Sequence, residues 1–419
     1  MVRQFWDRRG GRRASRGGRG VARALKSPAL VAAGVAAAVL LAGCSSGAGS
    51  SAASAGASST VGSSSASPSV PVGPRLAVSP PDATEAVRLD QPVTVTVAEG
   101  ILTGVTVTTD QGTELAGQID ATASTWTSSA SLKSGSDYSV TAYARAADGS
   151  AANLTSHFST LKPDATVKAS ILPQDDWTVG VGMPVIINFT KSVQDKAAVE
   201  KAVSVSSTPV VAGGWHWMSG RELQWRPEVY WPSGTKVVVK AGLSGVEVAP
   251  DVWGSRSVSS TFSIGSAMVS TVDVAGHTLT VTRDGQVIKT IPVTTGKRGY
   301  ETRAGTKVII SRESSRVMDA ATTGVDPKDP NYYRLDVKYA MRLTWSGEFL
   351  HAAPWSVGSQ GRANVSHGCT GMSTSNAKWL FDHSKVGDVV VYQHSKRSLE
   401  WGNGYTAWNI AFTKWVSAA

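Results

Sequence analysis

Gln91-Pro92-Val93-Thr94-Val95-Thr96-Val97 alternates apolar and polar side chains, and most of them are β-branched. A period of two puts one side of the chain in a core and the other in water, so this run reads as a half-buried β-strand. A counterpart, Met183-Pro184-Val185-Ile186-Ile187-Asn188-Phe189, starts 92 residues later. Further echoes keep the same order. Ser134-Gly135 precedes Tyr138-Ser139-Val140 as Ser233-Gly234 precedes Val237-Val238-Val239, and His157-Phe158-Ser159 is matched by Thr261-Phe262-Ser263.

Short strands punctuated by Gly, Pro and Asp, repeated at this period, predict two Ig-like β-sandwiches over 76–165 and 166–266. The second holds one predicted helix, 194–203, with Ala197, Ala198, Val199 and Ala202 at helical spacing. Neither unit contains a constellation of reactive side chains, so both read as spacers. A third unit, 267–393, opens near Met268. There His277-Thr278-Leu279-Thr280-Val281-Thr282, the turn Arg283-Asp284-Gly285 and Gln286-Val287-Ile288-Lys289-Thr290-Ile291 form a predicted hairpin. A helix is expected over 373–384, capped by Ser375, with Ala377, Leu380 and Phe381 as its apolar stripe. Lys385-Val386-Gly387-Asp388 then turns into a last strand, Val389-Val390-Val391-Tyr392. The segment 394–419 carries Trp401, Trp408 and Trp415 and reads as a stretch docked on the body of the protein.

Residues 1–43 read as an export signal. Nine Lys/Arg stand against one acid up to Lys26, and an uncharged apolar run ends in Leu41-Ala42-Gly43-Cys44. That run is shorter than the roughly 20 residues of a spanning helix. The pairs Arg8-Arg9 and Arg12-Arg13 are compatible with twin-arginine export as well as the general route. Most of the formal net charge of +10 lies on this leader. A basic balance that is removed with a signal is no argument for nucleic-acid binding, and no nucleic-acid partner is expected. Residues 44–75 are dominated by Ser, Ala and Gly, cannot build a core, and read as a tether.

Two cysteines occur in the chain. With Cys44 assigned to the leader, Cys369 has no disulfide partner, and it sits in Ser366-His367-Gly368-Cys369-Thr370-Gly371-Met372. A lone thiol flanked by glycine and near histidines is the composition of a nucleophilic site. Such a site needs a base for the thiol and donors for the oxyanion that follows attack on a carbonyl. His351, at the end of a predicted strand Gly347-Glu348-Phe349-Leu350, is the preferred base, and His367 an orienting residue. The N–H groups of Gly368 and Cys369 are expected to converge on one oxygen. Two other readings remain at this level: an inert buried cysteine, and a zinc site of His351, His367 and Cys369, which lacks a fourth ligand or a spaced Cys pair.

Leu41-Ala42-Gly43-Cys44 resembles the lipobox of bacterial lipoproteins, which implies that Cys44 is lipidated. It also implies that the protein sits on the outer face of the cytoplasmic membrane, facing the wall. His351, fourteen intervening residues, and Ser366-His367-Gly368-Cys369, with Phe349-Leu350-His351-Ala352-Ala353-Pro354-Trp355-Ser356-Val357-Gly358 upstream, resemble the YkuD-type L,D-transpeptidase signature. The wider organisation, through Trp408-Asn409-Ile410 and Trp415, is similar to actinobacterial, mycobacterial-type members. The resemblance implies a mainly β chain of two Ig-like sandwiches and a YkuD-type β-sandwich catalytic domain with one short helix.

It further implies that the Cys369 thiolate attacks the third residue of a peptidoglycan tetrapeptide stem and expels D-Ala. An amine of a neighbouring stem then resolves the thioester as a 3→3 cross-link. Tyr333, in a lid over 326–336, with Ser346, Gly347, Ser366 and Gly371, would line the substrate site. Carbapenems are expected inhibitors, and thiol acyl transfer needs no metal or organic cofactor. Family members usually carry Asn where this chain has Gly371, which leaves a backbone contact as the expected one there. The alternatives are an L,D-carboxypeptidase, in which water takes the place of the amine, and a non-catalytic wall-binding lipoprotein.

Overall fold

The computed structural model describes residues 73–417, so Cys44 and most of the tether lie outside the described residues. The first sandwich sets the strands Arg75–Ser79, Thr94–Ala98, Thr125–Ser128 and Gly117–Ile119 against Thr84–Val87, Ala151–Thr160, Asp137–Arg145 and Ile101–Thr109. Val93 and Val95 are fully buried with Val107, Trp126, Val140 and Phe158, as the alternation requires. The second sandwich repeats the plan. Ala169–Leu172, Val185–Phe189, Glu222–Pro227 and Gly213–Ser219 form one sheet, and Thr178–Val179, Val258–Ile264, Lys236–Ala241 and Val203–Thr208 the other.

The sequence echoes mark equivalent positions. Gly135 and Gly234 both take left-handed backbone, φ 56° and 77°, just before a strand. In the strand pairing Phe158 faces Tyr138, and Phe262 faces Val237. One echo differs in burial. Val185, Ile186 and Ile187 are all buried, because the second sandwich shares one apolar core with Val308, Ile310, Val389 and Tyr405 from beyond residue 300. The helix Lys196–Ala202 is capped by the Asp195 carboxylate, which accepts the Ala198 N–H.

The third unit packs a six-stranded sheet against a four-stranded one. The first runs in the order Gln286–Pro292, Thr278–Arg283, Met268–Asp273, Val389–Gln393, Arg303–Val308 and Arg397–Ser398. The second runs Ser311–Asp319, Arg334–Arg342, Phe349–Ala352 and Thr370–Met372. Asp284 and Gly285 both adopt positive φ, the backbone that a tight two-residue hairpin turn demands. Ala377 and Leu380 of the helix Thr374–His383 are buried as expected, but Ser373 caps it, its hydroxyl accepting the Asn376 N–H. Ser375 lies inside the first turn, where its hydroxyl meets that of Ser373.

The lid also shifts. Arg334, Leu335 and Asp336 belong to a strand, and the irregular stretch begins earlier, with a 3-10 turn at Ala320–Thr323. The Ala320 N–H donates to the Tyr333 carbonyl at 3.0 Å and closes the neck of this loop.

The tryptophan-rich segment docks on the second sandwich. The Trp415 indole donates to the Gly214 carbonyl, its ring stacks on His216, and the Trp408 indole donates to the Gly182 carbonyl. The Arg226 guanidinium lies about 5 Å from the rings of Trp408, Phe412 and Trp415 (4.8, 5.2 and 5.2 Å). Trp401 remains nearly half exposed.

Candidate active site

Two short parallel strands make the centre. Phe349–Ala352 pairs with Thr370–Met372 so that Leu350 faces Thr370 and His351 faces Gly371. Cys369 immediately precedes the second strand, which places it beside the strand that carries His351. His351 lies within its strand, one residue short of the end, and both side chains are buried: Cys369 is 8 % exposed and His351 5 %.

The His351 Nδ1 lies 2.8 Å from the Ala352 carbonyl. A carbonyl only accepts, so Nδ1 carries the proton and Nε2 keeps its lone pair, the tautomer of a general base. Burial holds the imidazole below its ordinary pKa of 6.5, and therefore neutral. Burial pushes the thiol up to about 12, against the Phe349 N–H and Lys307, which favour the thiolate. The resting site is thus a thiol beside a neutral imidazole. The Cys369 sulfur donates to the Gly347 carbonyl at 3.6 Å.

The loop before Cys369 is held by its own groups. The Ser366 hydroxyl donates to the Cys369 carbonyl at 2.6 Å and accepts the Gly368 N–H at 3.1 Å, while the Gly368 carbonyl accepts from Thr302 Oγ1 at 2.7 Å. Gly368 sits at φ 121°, where a side chain would be strained. The Gly368 N–H is thus bonded to the Ser366 hydroxyl, which is itself bonded within the loop.

Gly371 is buried, its N–H donating to the Thr294 carbonyl and its own carbonyl accepting the Thr294 N–H, both at 2.9 Å. A Cβ at this position would lie 2.8 Å from that of Ala353 and 3.2 Å from Thr294 Cγ2, which explains why glycine stands here.

Of the other expected residues, Tyr333 shares an apolar cluster with Cys369 and Gly347 accepts from its sulfur. Tyr333 packs on the apolar cluster of Met318, Val337, Ala340, Phe349 and Cys369, and its hydroxyl is pushed up to about 12 by burial. His367 is exposed, its ring between Tyr300 at 4.7 Å and Tyr333 at 5.1 Å. It therefore braces the lid residue from outside. Among the described residues no group of three His, Cys, Asp or Glu side chains is placed to hold a metal ion, so His351, His367 and Cys369 do not form the ligand set considered above. Ser346 and Gly347 form a turn fixed by Asn403, whose side chain bonds both the Ser346 N–H and its hydroxyl.

Beneath the loop lies a charged group that reading the sequence missed. Lys307 is fully buried, with Nζ 2.5 Å from Glu348 Oε2 and 3.7 Å from the Tyr392 ring centroid. Arg303 bonds the other Glu348 oxygen through its guanidinium and its backbone N–H, each at 3.0 Å, and also pairs with Glu400. Burial lowers Lys307 to about 8 while Glu348 holds its proton on. Removing one partner of such a group would strand a buried charge. The available signal was Lys307 itself, a lone cation in the otherwise apolar run Val308-Ile309-Ile310, but nothing in the spacing pointed to Glu348 as its partner.

Known families and proteins match most of this chain. A family model described as the L,D-transpeptidase catalytic domain matches residues 267–391, and one described as a bacterial Ig domain matches 84–247. L,D-transpeptidase 2 of Mycobacterium tuberculosis is 37 % identical over 343 residues, covering 82 % of this chain and 84 % of its own. L,D-transpeptidase 5 of the same species is 33 % identical over 355 residues, covering 83 % and 77 %. A solved structure of an L,D-transpeptidase in complex with imipenem is 38 % identical, covers 55 % of this chain and 100 % of its own, and superposes with a TM-score of 0.48. A relative matched along most of both chains, and a catalytic-domain match that spans His351 and Cys369, place the protein in one family: the chain belongs to the L,D-transpeptidases.

Proposed function

We propose that Cys369 is the nucleophile of an acyl transfer in peptidoglycan, with His351 as its base. The observation that carries this reading is the His351 tautomer fixed by Ala352 on the strand beside Cys369. Nε2 takes the thiol proton as sulfur attacks the carbonyl of the third residue of a tetrapeptide stem. The Cys369 N–H stabilises the oxyanion, since the Gly368 N–H is held by Ser366. Collapse expels D-Ala, which receives the proton from His351. The amine of a neighbouring stem then attacks the thioester, giving a 3→3 cross-link and restoring the thiol. Tyr333 closes over the intermediate, and carbapenems acylate the same sulfur.

Incubation of the purified protein with a disaccharide-tetrapeptide should yield a cross-linked dimer and free D-Ala, with a transient adduct on Cys369 seen by intact mass. Cys369→Ala should show neither dimer nor adduct. Tripeptide in place of dimer would identify water as the acceptor, and a carbapenem that leaves the mass of the wild-type protein unchanged would count against the nucleophile. We place the protein on the outer face of the membrane through lipid on Cys44. An unacylated mature N-terminal peptide by mass spectrometry would refute that placement.

A further inference from the structure

A pocket of about 300 Å³ opens beside the thiol, lined by Arg316, Thr322, Arg342, Trp345, Ser346 and Gly347. It adjoins the reacting atoms through Gly347, whose carbonyl accepts from the Cys369 sulfur. Two guanidinium groups face one aromatic ring there, their carbons 5.1 Å (Arg316) and 5.0 Å (Arg342) from the centroid of Phe349. Arg316 is paired with Glu313 at 2.6 Å. Arg342 is partly buried, makes no ion pair among the described residues, and reaches only the Trp345 carbonyl, at a long 3.5 Å. Two cations and one carboxylate leave the pocket positive. Loss of solvent first, and then the field of Arg316, weigh against the charge on Arg342, with Glu313 favouring it; an anion in the pocket would add to that favour.

We propose that Arg342 and Arg316 form a binding site for the free carboxylate of the donor stem's last residue. The site rests on the acyl-transfer reading above. A guanidinium fork fits a carboxylate with two parallel hydrogen bonds, and the ring beneath it fixes the plane of the fork. In a four-residue stem attacked at its third carbonyl, the terminal carboxylate belongs to the leaving residue. It lies within one residue's reach, about 3.8 Å between neighbouring Cα atoms, of the bond that breaks. Gly347, which lines the pocket, holds its carbonyl 3.6 Å from the sulfur. A stem one residue longer would bring a neutral peptide group to the arginines, so the site selects donors that end at the fourth residue. The side-chain carboxyl of a diamino acid at the third position is the competing source of the same chemistry.

The test uses two synthetic tetrapeptide donors, one ending in a free carboxylate and one in a carboxamide, each also made with the side-chain carboxyl of its diamino acid amidated, with Cys369 adduct formation and D-Ala or D-Ala-amide release as readouts. Wild-type protein should favour the free acid about 10- to 100-fold in kcat/KM, as expected for hydrogen bonds to a charged group. Arg342→Met, which keeps the stem packed on Phe349, should lose most of that preference through KM. It should still be alkylated by neutral iodoacetamide at the wild-type rate, which shows the thiol machinery intact. Arg342→Lys should restore part of the preference, and Arg316→Met, at a more exposed position, should weaken it if Arg342→Met does not fold.

Equal use of both donors by the wild type, or an undiminished preference in both methionine variants, overturns the proposal. So does a third pattern, in which the arginine variants become indifferent to amidation of the diamino acid and remain sensitive at the terminus. Failure of both donors to acylate wild-type Cys369 would refute the acyl-transfer reading itself, and the carboxylate site with it.

Discussion

His351 and His367 stand close in sequence to the same thiol, yet their surroundings assign them different work. His351 is buried, neutral and fixed through Nδ1, whereas His367 is exposed and wedged between two tyrosines. Removing His351 should therefore slow acylation about 10²- to 10⁴-fold, the usual worth of a positioned base. Removing His367 should act mainly on KM by loosening Tyr333. The pH profile separates them further. A base whose pKa is depressed below 6.5 stays neutral, and active, as pH falls through 6.5, and loses activity only lower. The acid limb of acylation by the wild-type enzyme should thus lie below pH 6.5; a limb at or above it would mean that another group is the base. Because the thiol is pushed up by burial, iodoacetamide should label wild-type Cys369 slowly at neutral pH and faster only in strong alkali.

At the level of elements, alternation and turn chemistry were the legible part. Val93 and Val95 went inward, Asp284-Gly285 made the hairpin, and the helix after Cys369 formed where its apolar spacing put it. These features depend on neighbours a few residues apart. The N-cap slipped by two residues because Ser373 and Ser375 are chemically alike, and only the direction of the entering chain selects between them. The surroundings of Gly371 were illegible for a different reason: they are decided by groups distant in sequence, Thr294 and Ala353.

That tight approach makes a prediction about the strand Thr370–Met372. Gly371→Asn, although it restores the residue usual in the family, should lower stability by about 1–3 kcal/mol, the range for overpacking a filled site. Ala353→Gly in the same chain should recover part of the loss by removing the atom 2.8 Å away. Thermal unfolding of the two single variants and the double variant would check it, and a Gly371→Asn protein as stable as wild type would contradict the packing argument.

Across the whole molecule, the strand repeats revealed two sandwiches and a third unit, but not that the second and third share a core. Val181, Met183 and Val185 pack in one cluster with Val308, Ile310 and Val389, and the Gly180 and Gly182 N–H groups bond the carbonyls of Val386 and Gly387. Such a junction has no local sequence signature. A fragment starting at Met268 would leave Val308, Ile310, Val389 and Tyr405 without the second sandwich that covers them, so the smallest stable active fragment should begin near residue 166. If a protein from Met268 onward unfolds cooperatively at the temperature of the longer fragment, the shared core is unimportant. Trp415→Ala should cost about 3–5 kcal/mol, as for other buried tryptophans, and lower the melting temperature of that longer fragment on the order of 10 °C.

The seat of Trp415 also sets an order of events. Its hydrogen-bond partner Gly214 is 201 residues upstream, so the second sandwich is synthesised long before the residue that seals its flank. Domains assemble from the N-terminus as the chain is made. Until residues 408–415 arrive, Arg226 has no rings to rest on and His216 has no stacking partner. The nascent protein therefore passes through a stage in which its middle domain carries an open, aromatic-hungry groove.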